Sequence, residues 1–216
     1  MRLNVLLKGA VAAGLIGLMS AGAALAQGCT ETTFSAKTGQ TYLDAETAAM
    51  QNKDWATAIA KLNQLRAAGL NCYEESAVIR LSAYIKIEQG DRAGAIKDLL
   101  DAINKGYIPP DQTAQTYYNI AQIYLQDENI KSALEYMQKW QQAGGKPDRT
   151  QKWQLAVLYQ RVDNYKEAVR WAEEVRRDDG AKFDQQLYDL LVYLYNETGE
   201  KAKLADVLET LVERKP

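Results

Sequence analysis

The sequence predicts an all-α solenoid of about five helix-turn-helix repeats, and three observations carry that prediction. A signature of a small or polar residue, an acid or amide, and a small or apolar residue four positions later recurs along the chain. It occurs at Lys53-Asp54 to Ala58, Gly90-Asp91 to Ala95, Glu128-Asn129 to Ala133, Asp163-Asn164 to Ala168 and Gly199-Glu200 to Leu204, so its closing positions lie 37, 38, 35 and 36 residues apart. A unit of that length cannot bury its apolar face alone, and stacked units share a core behind an exposed concave surface. Within each period the apolar spacing is helical, as in Tyr117, Ile120, Ala121 and Tyr124 for a first helix and Ala133, Leu134, Met137 and Trp140 for a second. Between periods stand residues that end helices: Ala68-Gly69, Gly106 with Pro109-Pro110, Gly144-Gly145 with Pro147, Asp179-Gly180 and Pro216.

In chain order, residues 1–26 come first. Arg2 and Lys8 precede an uncharged run, Gly9 to Ala26, in which 12 of 18 residues are Gly, Ala or Ser, ending in Ala24-Leu25-Ala26. This reads as a cleavable secretory signal peptide, with a retained membrane anchor or a lipoprotein acylated at Cys29 as the alternatives. Export implies a periplasmic location and an oxidising compartment, so the two cysteines, Cys29 and Cys72, are expected to form a disulfide rather than stay as free thiols. The first hairpin runs from about Gly39 to near Ala68 with both ends at one rim, so the segment 27–38, which carries little apolar content of its own, can be tied back to Cys72. The repeats then fall at about 39–72, 76–109, 114–147, 149–182 and 185–216.

Composition removes several functions. The chain has no histidine, which excludes histidine general bases, Ser-His-Asp or Cys-His arrangements and histidine-containing zinc sites, and two cysteines cannot build a four-thiolate site. No metal or cofactor is expected. Pairs of acids such as Asp44 with Glu46, or Glu173 with Glu174, leave a carboxylate-based glycan hydrolase as a remote alternative to a protein that is not an enzyme. The formal net charge is −2, and losing Arg2 and Lys8 with the leader makes it −4. With cations interleaved among anions along the helices, nucleic acid is not the expected partner. No membrane insertion is expected once the leader is removed.

These residues resemble the tetratricopeptide repeat (TPR) family. In the third unit Tyr117, Ile120, Ala121, Tyr124, Ala133 and Pro147 follow its pattern; the fourth has Leu155, Ala156, Tyr159, Tyr165 and Ala168, and the fifth Tyr188, Leu191, Tyr195 and Pro216. The first unit departs most, with Ala45, Glu46 and Ala49 where a large residue, a small one and an aromatic are usual, and Lys86 stands at an aromatic position of the second. The resemblance implies a right-handed superhelix whose groove is lined by the second, fifth, ninth, twelfth and thirteenth positions of each first helix. Its fifth and ninth positions become Leu43 and Thr47, Arg80 and Tyr84, Tyr118 and Gln122, Trp153 and Val157, Asp189 and Tyr193. That lining implies a groove for an extended, polyproline-type or helical peptide, and only Arg80 and Asn119 approach the carboxylate clamp of chaperone-binding members.

The run Trp153-Gln154-Leu155-Ala156-Val157-Leu158-Tyr159 and the stretch Leu187 to Pro216 resemble exported bacterial TPR proteins associated with TonB systems. The resemblance implies an adaptor for the TonB, ExbB and ExbD complex that assists energy transfer to outer-membrane uptake. A scaffold for envelope assembly or peptidoglycan enzymes is the alternative. At the C-terminal end, Leu204, Val207, Leu208, Leu211 and Val212 lie on one helix, more than one seam needs, which predicts a homodimer or a partner contact there.

Overall fold

A computed structural model describes residues 30–214, and among these the chain forms ten α-helices and no strand. The expected signal peptide and Cys29 lie outside the described residues, as do the last two positions. The helices pair as five hairpins: α1 (Gly39–Met50) with α2 (Trp55–Ala67), α3 (Cys72–Glu88) with α4 (Arg92–Asn104), α5 (Pro110–Gln126) with α6 (Ile130–Gln142), α7 (Arg149–Arg161) with α8 (Tyr165–Asp179), and α9 (Gln185–Thr198) with α10 (Lys201–Arg214). Each second helix packs on the first helix of the next hairpin, which makes the stack a solenoid. α3 and α5 begin at Cys72 and Pro110, four residues before the 76 and 114 from which the repeats were counted. Asn71 caps α3, and Pro110 at the first turn of α5 supplies a φ already suited to a helix.

The recurring signature is the turn inside each hairpin. Lys53, Gly90, Glu128, Asp163 and Gly199 all have positive φ, 54, 85, 54, 58 and 71°, the left-handed residue that closes a helix. The next amide then reaches back, Asp91, Asn129, Asn164 and Glu200 to the carbonyl five residues earlier and Asp54 to the one six earlier, at 2.8 to 2.9 Å. The side chains of Asp54, Asp91, Asn129 and Asn164 accept from the amide three residues on and so cap the second helix. One position further, Ala58, Ala95, Ala133 and Ala168 are fully buried, methyl-sized contacts within the apolar clusters. The last turn departs from this: the Glu200 carboxylate pairs with Lys203, and Leu204 is only partly covered.

Two apolar clusters fill the stack. The smaller joins α1, α2 and α3 through Ala45, Ala49, Leu62, Leu65, Val78 and Ile85, and the larger runs from α3 to α10 through Leu99, Ile120, Met137, Leu155, Val175, Leu191 and Tyr195. The alanines that set the first unit apart from the family pattern are therefore its contact face.

The leading segment has contacts of its own, contrary to the expectation that it has little to hold it down. Phe34 packs between Tyr42 and Tyr73, with ring centroids 4.5 and 5.4 Å away. The buried Glu74 carboxylate accepts from the Ser35 amide at 2.7 Å, from the Thr38 hydroxyl and from the Asn71 amide at 3.0 Å. Burial pushes the Glu74 carboxyl up, but these hydrogen bonds outweigh it and hold its pKa below the usual glutamate range. Cys72 opens α3 beside this anchor and is not a free thiol; with Cys29 outside the described residues, the bridge between them stands as a proposal.

Charge pairs lace the C-terminal half. Arg149, at the start of α7, grips Asp179 at the end of α8 with two parallel bonds of 2.8 and 2.7 Å and reaches Asp184, the cap of α9, at 2.5 Å. Lys152 bridges Glu174 and Asp178, and Arg176 joins α8 to Asp206 on α10. On α10 only Val207 is buried, whereas Leu208 and Val212 are 45% and 76% exposed.

Candidate functional site

Two adjacent hollows lie between successive first helices. The first, about 300 Å³, lies between α3 and α5 and is lined by Arg80, Tyr84, Ile87, Asn119, Gln122 and Gln126, with Leu99 at its floor. The second, about 460 Å³, lies between α5 and α7 and is lined by Tyr118, Gln122, Leu125, Trp153, Gln154 and Val157. They share Gln122. Six of the eight residues predicted to bind, Arg80, Tyr84, Tyr118, Gln122, Trp153 and Val157, are thus brought together on one strip.

That strip is nearly neutral. The second hollow has no charged lining residue, and the only charge lining the first, Arg80, is engaged with the side-chain oxygen of Gln112. Gln122 and Gln154 face each other as a reciprocal amide pair, with both N–H···O distances at 3.4 Å, long enough that the pair is weak and exchangeable for a ligand's peptide group. Tyr118 leans on the buried Trp140, centroids 5.2 Å apart, so its ring is fixed rather than free to swing. Gly145 serves the same support, since a Cβ there would come within 2.0 Å of the Trp140 indole nitrogen.

The remaining predicted residues lie elsewhere. Asp189 accepts from Gln185 at 2.7 Å and lines a shallow hollow with Leu208, Leu211 and Val212 at the C-terminal end. Tyr193 meets Tyr165 edge-on, centroids 5.9 Å apart, in the seam between the fourth and fifth hairpins. Tyr84 makes the matching contact with Trp55 at 6.3 Å, where the Lys53 ammonium also bonds its hydroxyl at 2.6 Å. Leu43 and Thr47 are exposed and line neither hollow.

Lining residues beyond the fifth and ninth positions were within reach of the same count. The second position gives Thr150, and the twelfth and thirteenth give Ile87, Leu125 and Gln126. Asn119, noted above only for its approach to a carboxylate clamp, and Gln154 sit one place after the fifth position, which the count of lining positions does not include. The acids considered for carboxylate chemistry are mostly engaged in ion pairs: Asp44 with Lys61 at 3.2 Å, Glu173 with Lys203 at 2.7 Å and Glu174 with Lys152 at 3.3 Å.

Residues 114–140, spanning most of α5 and of α6, match the tetratricopeptide repeat family. Among solved structures, nearly identical TPR-like repeats of a Podosopora anserina protein superpose with a TM-score of 0.53 at 15% identity, covering 83% of this chain and 98% of that one. The MamA protein gives 0.54 at 14% identity, over 83% and 92% of the two chains. At such identities the likeness is one of fold: the chain is an all-α repeat solenoid like theirs. No curated protein matches it.

Proposed function

We propose that the protein is a non-catalytic adaptor that binds a peptide segment of a protein partner along the strip between α3 and α7. The observation that carries this reading is the pair of adjacent hollows sharing Gln122, with Tyr118 and Trp153 in the second. An extended or polyproline-type segment fits that strip better than a helix: flat apolar side chains stack on the two rings while Gln122 and Gln154 open to bond the backbone. With no charge in the second hollow, the partner's residues there are uncharged.

The leader-like residues 1–26 support a periplasmic setting, and the resemblance around Trp153–Tyr159 supports TonB, ExbB or ExbD as the source of the segment, so that the chain assists energy transfer to outer-membrane uptake. The exposed Leu208 and Val212 on α10 support self-association through the last hairpin, which light scattering of Val212→Lys against the parent chain tests.

The central test is calorimetric titration of the protein with peptides from the periplasmic parts of TonB and ExbD, repeated with Tyr118→Ala and Trp153→Ala. Loss of a ring at a binding centre costs about 2 kcal/mol, or roughly 30-fold in affinity, with little change in melting temperature. Unchanged affinity in both variants overturns the groove, and unfolding of Trp153→Ala shows that residue to be core.

A further inference from the structure

The two outer seams of the stack carry the same four positions. Counted from the closing residue of the turn signature, Lys53 and Asp163 are five before it, Trp55 and Tyr165 three before it, Tyr84 and Tyr193 eleven before the next one, and Glu88 and Glu197 seven before the next one. In the first seam a cation fills the site. The Lys53 ammonium lies 5.2 Å from the ring centroids of both Trp55 and Tyr84, 2.6 Å from the Tyr84 hydroxyl and 3.1 Å from the Glu88 carboxylate.

In the last seam the aromatic pair and the acid are kept while the lysine is replaced by an aspartate. Tyr165 and Tyr193 are edge-on at 82°, as Trp55 and Tyr84 are at 66°. Tyr165 donates to Asp163 at 2.8 Å, and Tyr193 donates to Tyr165 at a long 3.3 Å. Tyr193 is 40% exposed, Asp163 and Glu197 are exposed, and among the described residues no cation pairs with either acid. The two inner seams lack the arrangement, with Arg92 and Gln122 in one and Ile130 and Val157 in the other.

We infer that Asp163, Tyr165, Tyr193 and Glu197 form a receptor for a cationic side chain, a lysine or arginine of a bound polypeptide, which takes the place that Lys53 fills from within the chain in the first seam. Two ring faces and two carboxylates attract an ammonium or guanidinium, and neither a neutral nor an acidic side chain gains from them. The site lies outside the two central hollows, so it stands or falls separately from them.

The test is a titration of the full chain, followed by the ring resonances of Tyr165 and Tyr193, with acetyl-Gly-Lys-Gly-amide, acetyl-Gly-Arg-Gly-amide, the Gln analogue and n-butylammonium. The Lys and Arg peptides are expected to shift both tyrosines saturably, at least about tenfold more tightly than the Gln peptide. Tighter binding of the peptides than of butylammonium assigns the ligand to a polypeptide, and equal or tighter binding of butylammonium overturns that source. Asp163→Lys places an ammonium where Lys53 has its own, on backbone of the same hand (φ 58 and 54°), and is expected to abolish the shift. Lys53→Asp is expected to open the first seam and double the stoichiometry. Should Asp163→Lys fail to fold, Tyr193→Leu must weaken the Lys peptide. No saturable shift in the parent chain, or parental binding by Asp163→Lys, overturns the receptor.

Discussion

Replacing Glu74 with alanine should loosen the first hairpin and its leading segment together. The carboxylate is 2% exposed and accepts three hydrogen bonds, from the Ser35 amide, the Thr38 hydroxyl and the Asn71 amide, while Thr38 is itself 2% exposed. A hydrogen bond to a charged group contributes about 1.5 to 3 kcal/mol, and donors left buried without a partner add their own cost, so Glu74→Ala should lose about 3 to 5 kcal/mol because the three are not additive. For a chain of this size that corresponds to a fall of roughly 6 to 20 °C in melting temperature if the stack unfolds as one. A repeat array can also open unit by unit, so hydrogen exchange at Ser35, Thr38 and Tyr42 is the sharper readout. Glu74→Gln keeps the shape but turns one acceptor into a donor facing a donor, and should fall between. The sign of the pH dependence follows from the lowered folded pKa. The contribution is complete above the unfolded glutamate value of about 4.3 and is lost as pH falls through the folded value, so the gap between the parent chain and Glu74→Gln should close below about pH 4. A loss under about 1 kcal/mol with unchanged exchange at residues 35 to 42 would refute the reasoning.

Arg149→Ala leaves Asp179, whose side chain is 6% exposed, without its bidentate partner; because the arginine is itself 35% exposed, the loss is discounted to about 2 kcal/mol, measured by urea unfolding. Arg149→Lys should recover less than half of it, since a single ammonium cannot reproduce the fork, and full recovery would show that charge alone matters. The hydrogen bonds from Arg149 hold the Asp179 carboxyl below its usual range, so this contribution is present above about pH 4 and disappears as pH falls through the folded value. Mass spectrometry without reduction should find Cys29 joined to Cys72, and Cys29→Ser should lower the melting temperature; two free thiols in protein recovered from the periplasm would remove the bridge.

What could be read in the sequence is what repeats. The turn signature was legible because a left-handed residue, a capping acid or amide and a methyl-sized contact are each demanded by local backbone geometry, and the demand recurs in every hairpin. The strip of Arg80, Tyr84, Tyr118, Gln122, Trp153 and Val157 was reachable by counting because each first helix presents the same face. Contacts made once escaped. Glu74 stands at the third position of a helix, where an acid normally meets water, and nothing local marks the Ser35 amide 39 residues away as its partner. Phe34 lies in a segment with no periodicity, so its place between Tyr42 and Tyr73 has no sequence signal. The ladder of Arg149, Lys152 and Arg176 looks like any solvated charge pattern until the helices are stacked.

The ninth position of each first helix shows why one count reaches the groove in some units and not in others. Its counterpart by count is the residue that opens the preceding second helix, 27 to 30 positions earlier. Where that residue is Arg92 or Ile130, the ninth-position Gln122 and Val157 line the central hollows. Where it is Trp55 or Tyr165, an aromatic partner is available and the ring of Tyr84 or Tyr193 turns edge-on against it. Tyr84 still walls the first hollow, whereas Tyr193 has no following hairpin within the described residues to build a hollow beside it. A ring at the ninth position therefore takes up a seam contact where an aromatic side chain 28 or 29 residues earlier meets it, and whether it also walls a hollow depends on the next hairpin, so the sequence of one helix alone does not decide its place.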